Sequence, residues 1–380
     1  MKKLLYVTNI PAPYRQKRFN KMQEIFPKMG IDFEVLYMAK IEPNRKWIIP
    51  KESFKYKYKI FKGIHPVIGK FFAHFNPGLL IRLLKNDYDI VVIGGMASPT
   101  HWLAPFFVSN KKIKILSVES NLLSVGRKSG IGAKIKTILI NKANAYQVTG
   151  TPQKEYIKFF SPSSSQKSFI KLPNLIDEQV FVEQVKELRN KKKYLKLELG
   201  INEESQIWVL PAQHIDKKGI IPFLKLLSSD LNVKLFLLGD GPLRNEIESL
   251  VLEMKLNVVV VGHVQQEDII KYYAIADLFI IPSIKDPSPL SPIEAIAAGL
   301  PILVSSRIGN VEDVLVDELN GWSYDPVNEI DKGRKLITQI ASLSHDELSK
   351  KGLESEKIYN AKFDTNKCVE SYAKSLLKIN

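Results

Sequence analysis

Two series of short, continuously apolar runs constrain this chain more than any other feature. The first reads KLLYVT (3–8), DFEVLYM (32–38), DIVVIGG (89–95), IKILSV (113–118) and AYQVT (145–149). Stretches with helical spacing separate most of them, which is the β-α alternation of a parallel doubly wound sheet. The second series reads QIWVLPA (206–212), VKLFLLG (233–239), NVVVVGH (257–263), DLFIIPS (277–283) and PILVSS (301–306), again with helix patterns between. Strands so uniformly apolar are covered on both faces. The chain therefore predicts an α/β fold of two Rossmann-like units, joined near KLPNLIDEQVF (171–181), where Pro173 and Asn174 mark a turn. Its 380 residues agree, because single cores stop growing near roughly 250–300 residues. Ligands of open α/β sheets bind beyond the carboxyl ends of the strands, so the active site is expected in a cleft there.

The composition narrows the partners. One cysteine, Cys368, leaves no disulfide framework and no CxxC metal site, which predicts a reducing compartment and cytoplasmic localisation. The start, MKKLLYVTNIPAPYR, is too briefly apolar for a signal peptide, and no window reaches the roughly 18 apolar residues of a membrane span. A net charge of +15 calls for an anionic partner. The lysines are scattered and no nucleic-acid-binding pattern accompanies them, so lipid headgroups or diphosphate-bearing small molecules are expected instead of nucleic acid.

The segment KDPSPLSPIEAIAAGLPILVSS (285–306) carries the chemistry. A loop after the strand DLFIIPS leads into a helix starting near Leu290, with Pro292 in its first turn, where a missing N–H costs nothing. Such a helix start offers free N–H groups and a partial positive charge to a phosphate, with Ser288 and Ser291 adding hydroxyls. Asp286 and Glu294, on either side, suit neighbouring hydroxyl groups rather than the phosphate itself. Diphosphate and vicinal hydroxyls together describe a nucleotide sugar. The same two acids would equally serve as a turn residue and a complement to the helix dipole.

DPSPLSPIEAIAAGLPILVSS resembles the acid-x7-acid signature of retaining glycosyltransferases with the GT-B fold, the glycogen-synthase-like family 4. PNLID (173–177), AQHIDKKG (212–219), LLGDGP (237–242), VGHV (261–264), ADLFIIPS (276–283) and NG (320–321) follow in the family's order. The resemblance implies a first domain at 1–173 for the acceptor and a second at 174–360 for the nucleotide sugar. It also implies that a helix within 361–380 returns to the first domain. It places Glu294 on the ribose, Asp286 by the donor sugar hydroxyls and Lys218 on the diphosphate. Gln213, Leu290, Ser288 and Ser291 line the donor pocket, and Gly262, His263 and Val264 contact the base. Two departures stand out. The first acid is Asp286 with Pro289 three residues on, where relatives have Glu and Gly, and Gln213 replaces a common arginine. Binding should then rest more on Lys218 and the helix end.

In the first unit, VTNIPAPYRQKRF (7–19) follows the first strand without the glycines of GxGxxG, so a dinucleotide cannot approach closely. Pro13, Tyr14 and Arg15 are expected at the mouth of the cleft. Glu119, where many relatives carry a histidine, and His101 follow other strands, and Glu119 is a candidate base or hydrogen-bond acceptor for an acceptor hydroxyl. The lone D-x-D, Asp87 to Asp89, precedes its strand and no metal or other cofactor is expected. Segments 62–85, with Ile68, Phe71, Phe72 and Phe75 on one helical face, and 126–142 are basic and amphipathic, matching either a core-facing helix or an anionic membrane surface.

The expectation is a metal-independent hexosyl- or glycosyltransferase using a UDP-sugar. Its acceptor would be a saccharide, on a polyprenyl diphosphate or another lipid, in capsule or lipopolysaccharide assembly at the inner face of the cytoplasmic membrane. A nucleotide-sugar epimerase of similar fold and a non-catalytic sugar-nucleotide binding protein are the rivals.

Overall fold

The computed structural model describes residues 1–42, 50–68, 71–123, 125–126, 128–176, 178–202 and 204–379, without the side chains of Tyr14, Lys51, Ile68, Phe71, Glu178, Gln179, Gln266 and Glu267. The chain forms two compact units, residues 1–175 with 365–380, and residues 176–364.

In the first unit the strands are β1 (Lys2–Thr8), β2 (Ile31–Tyr37), β3 (Lys57–Ile60), β4 (Val67–Ile68), β5 (Phe71–Phe72), β6 (Ile90–Ile93), β7 (Ile113–Val118), β8 (Ala145–Val148) and β9 (Ser168–Lys171). Seven of them make one parallel sheet in the order β3-β2-β1-β6-β7-β8-β9. Successive side chains point to opposite faces, so β1 sends Leu5 and Val7 into one apolar layer and Leu4 and Tyr6 into the other. The helix Thr365–Lys378 closes the second layer with Val369, Tyr372, Ala373 and Leu376. Tyr372 donates to Gln147 Oε1 at 2.6 Å, and Gln147 Nε2 donates to Tyr6 and Ser117 hydroxyl oxygens.

The second unit holds β10 (Gln206–Pro211), β11 (Val233–Leu238), β12 (Val258–Gly262), β13 (Leu278–Ile281), β14 (Ile302–Ser305) and β15 (Gly321–Tyr324). They pair in the order β12-β11-β10-β13-β14-β15, all parallel. Strand order therefore reverses between β1 and β6 in one sheet and between β10 and β13 in the other, the switch points at which such sheets bind ligands.

Strands β3, β9 and β15 had no counterpart in the apolar runs. They lie at sheet edges, and β3 and β9 carry polar, exposed residues because one side lacks a neighbour. The expected helical face at 62–85 is overturned. Val67–Ile68 pairs antiparallel with Phe71–Phe72, Ile64 bridges Phe75, and among the described residues of this segment only Pro77–Leu83 is helical. Pro66 precedes the paired strands, and Pro77 opens the helix. Phe72 and Phe75 are half-buried, with Phe75 packed on the core.

Candidate functional site

In the second unit the loops after β10 and β13 meet at an ion pair. Lys218 ends the 3₁₀ turn Asp216–Lys218, and its Nζ lies 2.5 Å from Oδ2 of Asp286, both side chains being largely buried. The backbone joins the same loops, Lys285 N–H donating to the Lys217 carbonyl at 3.1 Å. Gly219 permits this approach. Its φ is +67°, and a Cβ there would lie 2.2 Å from the Pro282 carbonyl oxygen.

The segment after β14 braces Asp286 from its other side. Gly309 N–H donates to the Asp286 carbonyl, and Asn310 Nδ2 donates to the Pro289 carbonyl, each at 2.9 Å. The helix Ser291–Ala297 then begins, with Pro292 in its first turn and Leu290 as its cap. Ser288, Leu290 and Ser291 are half-buried, and the Leu290 and Ser291 amides reach no carbonyl among the described residues. One turn on, Glu294 Oε2 accepts from the Tyr273 hydroxyl at 3.1 Å. Burial, then the Glu294 charge and their hydrogen bond, push the Tyr273 pKa well up, so the phenol stays a donor.

Gly262 ends β12 at φ +88°, its carbonyl accepting from Gly239 N–H at 2.7 Å. A Cβ at Gly262 would stand 2.6 Å from Nη1 of Arg244, a side chain pinned by Glu248 at 2.8 Å. Gln213 and His263 are exposed and Val264 is half-buried. His214, beside Gln213, is fully buried, neither ring nitrogen has a partner among the described residues, and burial holds its pKa down.

In the first unit Pro13 opens the helix Pro13–Ile25, and the Tyr14 side chain lies outside the described residues. Arg15 Nη2 stands 3.3 and 3.1 Å from the two carboxylate oxygens of Glu119, while Nη1 donates to Thr8 Oγ1 and Asn9 Oδ1 at 2.8 Å. The guanidinium thus ties the carboxyl ends of β1 and β7 together. Burial acts to raise the Glu119 pKa, but the charges of Arg15 and Arg18 outweigh it and the net direction is down. That makes Glu119 a weak proton acceptor and a strong anchor. His101 lies in the helix Pro99–Phe107, buried, with neither ring nitrogen partnered among the described residues. Burial first, then Arg15 and His74, push its pKa down to about 3, so it is neutral.

Residues 191–358 match the family described as glycosyl transferases group 1. That segment makes up most of the second unit. An uncharacterized glycosyltransferase of Methanocaldococcus jannaschii is 26% identical over 80% of this chain and 75% of its own length. The alpha-monoglucosyldiacylglycerol synthase of Acholeplasma laidlawii is 30% identical over 36% of each. With several sequence relatives the match spans only about a third of either protein, between 26% and 36% of the relative. An Anabaena protein solved in complex with UDP and glucose superposes with a TM-score of 0.70 over 100% of both chains at 14% identity, which establishes the GT-B fold.

The structure thus pairs Lys218 with Asp286 and Arg15 with Glu119, four residues singled out from sequence. Tyr273, Arg244, Asn310 and His214 escaped that reading. Tyr273 and Asn310 act through partners 21 residues away, His214 is marked only by its burial, and the i, i+4 spacing of Arg244 and Glu248 left a local trace. Asn9, Glu42, His74 and His65 also form a chain of contacts, Asn9 Nδ2 to Glu42 at 2.9 Å, Glu42 to His74 Nε2 at 3.0 Å, and His74 Nδ1 to His65 Nδ1 at 2.9 Å.

Proposed function

We propose that the chain is a retaining, family 4 glycosyltransferase that moves a sugar from a UDP-sugar to a saccharide acceptor on a lipid carrier, in cell-surface polysaccharide assembly. The observation that carries this reading is the Lys218–Asp286 pair beside the Leu290 and Ser291 amides, which reach no acceptor among the described residues, at the carboxyl end of the second sheet. One cation and two amides suit a diphosphate, and carboxylates on both sides suit the hydroxyls of a ribose and a sugar. Glu294, oriented by Tyr273, takes the ribose; Asp286 takes the donor sugar. Gln213 and the turn at Gly262, His263 and Val264 line the remainder of the donor pocket. The anomeric carbon's bond to the diphosphate breaks, a bond to the acceptor oxygen forms on the same face, and the acceptor proton passes to the departing phosphate oxygen. Lys218 and the amides relieve the leaving charge, with no resident metal or other cofactor assigned to that task. The solved relative with UDP and the glycolipid synthase support the choice of donor and of a lipid-borne acceptor.

The same reading places the protein at the inner face of the cytoplasmic membrane. No helix of the described residues is long and apolar enough to cross a membrane. The helix Ile131–Lys142 buries Ala133, Leu139 and Ile140 and leaves Ile131 and Ile138 exposed, in a stretch from 120 to 154 with six basic residues and no acid. That face suits anionic headgroups.

Thermal shift across nucleoside diphosphates tests the donor. UDP should raise Tm, and Lys218→Ala or Glu294→Ala should remove most of the gain. If no nucleoside diphosphate stabilises the chain, the reading fails. Proton NMR of the product should show the donor's anomeric configuration, whereas conversion of the donor without an acceptor would point to an epimerase.

A further inference from the structure

At the carboxyl end of the first sheet, buried polar groups stand without partners. Arg18 is 2% exposed, and neither its Nε nor its Nη2 has a hydrogen-bond partner among the described residues. Thr149 Oγ1, just past β8, and both nitrogens of His101 are in the same condition. Arg18 and Thr149 lie toward Glu119, and His101 lies within the field of Arg15. Val118 and Val148 are register partners, so Glu119 and Thr149 extend neighbouring strands, and the charges of Arg15 and Arg18 both act on the Glu119 carboxyl.

A guanidinium removed from water without hydrogen bonds is strongly unfavourable unless something anionic or wet completes it. The nearby Phe19 ring, 5.5 Å from Arg18 Cζ, offers a face but no acceptor. The charges do not balance within the cluster. Arg15 is taken by Glu119, Thr8 and Asn9, and Glu42 is taken by Asn9 and His74, which leaves Arg18, among the described residues, as a cation with open hydrogen-bonding positions. Arg15 and Arg18 are three residues apart on one helix and share a face. Solvent reaches this place, because the Glu119 side chain keeps 38% of its surface exposed.

We propose that Arg18, beside Arg15, is an anion-binding residue of the acceptor site, so that the acceptor carries a phosphate or a carboxylate near the sugar that receives the transfer. Both groups offer the paired oxygens that a guanidinium fork grips. The inference rests on the reading of the first unit as the acceptor half.

Thermal shift in a full-length Lys218→Ala background, in which the donor lysine cannot account for phosphate binding, tests it with inorganic phosphate, glucuronate and glucose at matched ionic strength. One anion should raise Tm saturably while glucose does not, and the effective anion identifies which group the acceptor bears. Adding Arg18→Met should raise the ligand-free Tm, because an unpaired buried charge is gone, and weaken the anion at least tenfold. Arg18→Lys should fall between, keeping the charge but losing the fork. No anion effect, an equal effect of glucose, or an effect that survives Arg18→Met overturns the proposal. So does an Arg18→Met chain that melts earlier or fails to fold, since Arg18 is then a structural cation. UDP stabilisation of the chain with Lys218 intact reports separately on the donor reading.

Discussion

In the free protein the ammonium of Lys218 belongs to Asp286, and a diphosphate has to draw it away. Asp286→Asn should therefore tighten UDP several-fold, within about 1 kcal/mol, while transfer slows because the sugar hydroxyls lose their acceptor. Calorimetric Kd and initial rates moving in opposite directions would bear this out, and parallel losses would place Asp286 outside the donor site. His101 makes a second prediction. Its ring is held neutral in the fold with a pKa near 3, against an ordinary value of 6.5, so the unfolded chain binds the extra proton between those values. Stability is unaffected above about pH 6.5 and falls as the pH drops toward 3, by at most about 1.4 kcal/mol per unit. Denaturant titrations of His101→Leu should lack that component of the slope. At this scale the acids and Lys218 were legible, because loop position after apolar strands and type of charge identify them. Tyr273 was not, since a tyrosine among apolar neighbours reads as core until its hydroxyl is seen on Glu294.

Among the elements, the turn Asp216–Lys218 depends on its following glycine. Gly219→Ala meets both a left-handed backbone and the Pro282 carbonyl, which should cost at least about 1–3 kcal/mol and displace Lys218. Chemical denaturation and UDP affinity should both register it, whereas Gly132→Ala, with open space around its Cβ, should leave both nearly unchanged. The helix Ile131–Lys142 carries the membrane prediction. Replacing Ile131 and Ile138 with serine should abolish sedimentation with anionic vesicles at low salt and spare UDP binding. Wild-type chain that never sediments would remove the membrane from the proposal. Segment 62–85 shows the limit of periodicity at this scale. Of four apolar residues at helical spacing, Ile68, Phe71 and Phe72 lie in paired strands and Phe75 bridges Ile64, while the helix starts only at Pro77.

For the whole molecule, the first unit is discontinuous in sequence. Residues 365–380 supply Val369, Tyr372, Ala373 and Leu376 to its core and a phenol to Gln147. A chain ending at residue 364 should lose several buried side chains at about 1.5–3 kcal/mol each. It should aggregate or melt far earlier than the full chain, and an unchanged Tm would contradict this packing. The two parallel sheets were legible in the apolar runs alone, because a strand covered by helices on both faces has no reason to alternate polar with apolar residues. Edge strands need not leave that signature: β12 does, whereas β3, β9 and β15 took their places only through pairing with a neighbour. Local chemistry likewise sets what a loop can bind, whereas partnership is decided by the fold. That Lys218 rests on Asp286, that Arg15 grips Glu119 and that Arg18 is buried with no carboxylate of its own among the described residues depend on distances between segments up to 104 residues apart. No local pattern encodes those distances, since each is set by the packing of helices and sheet around it.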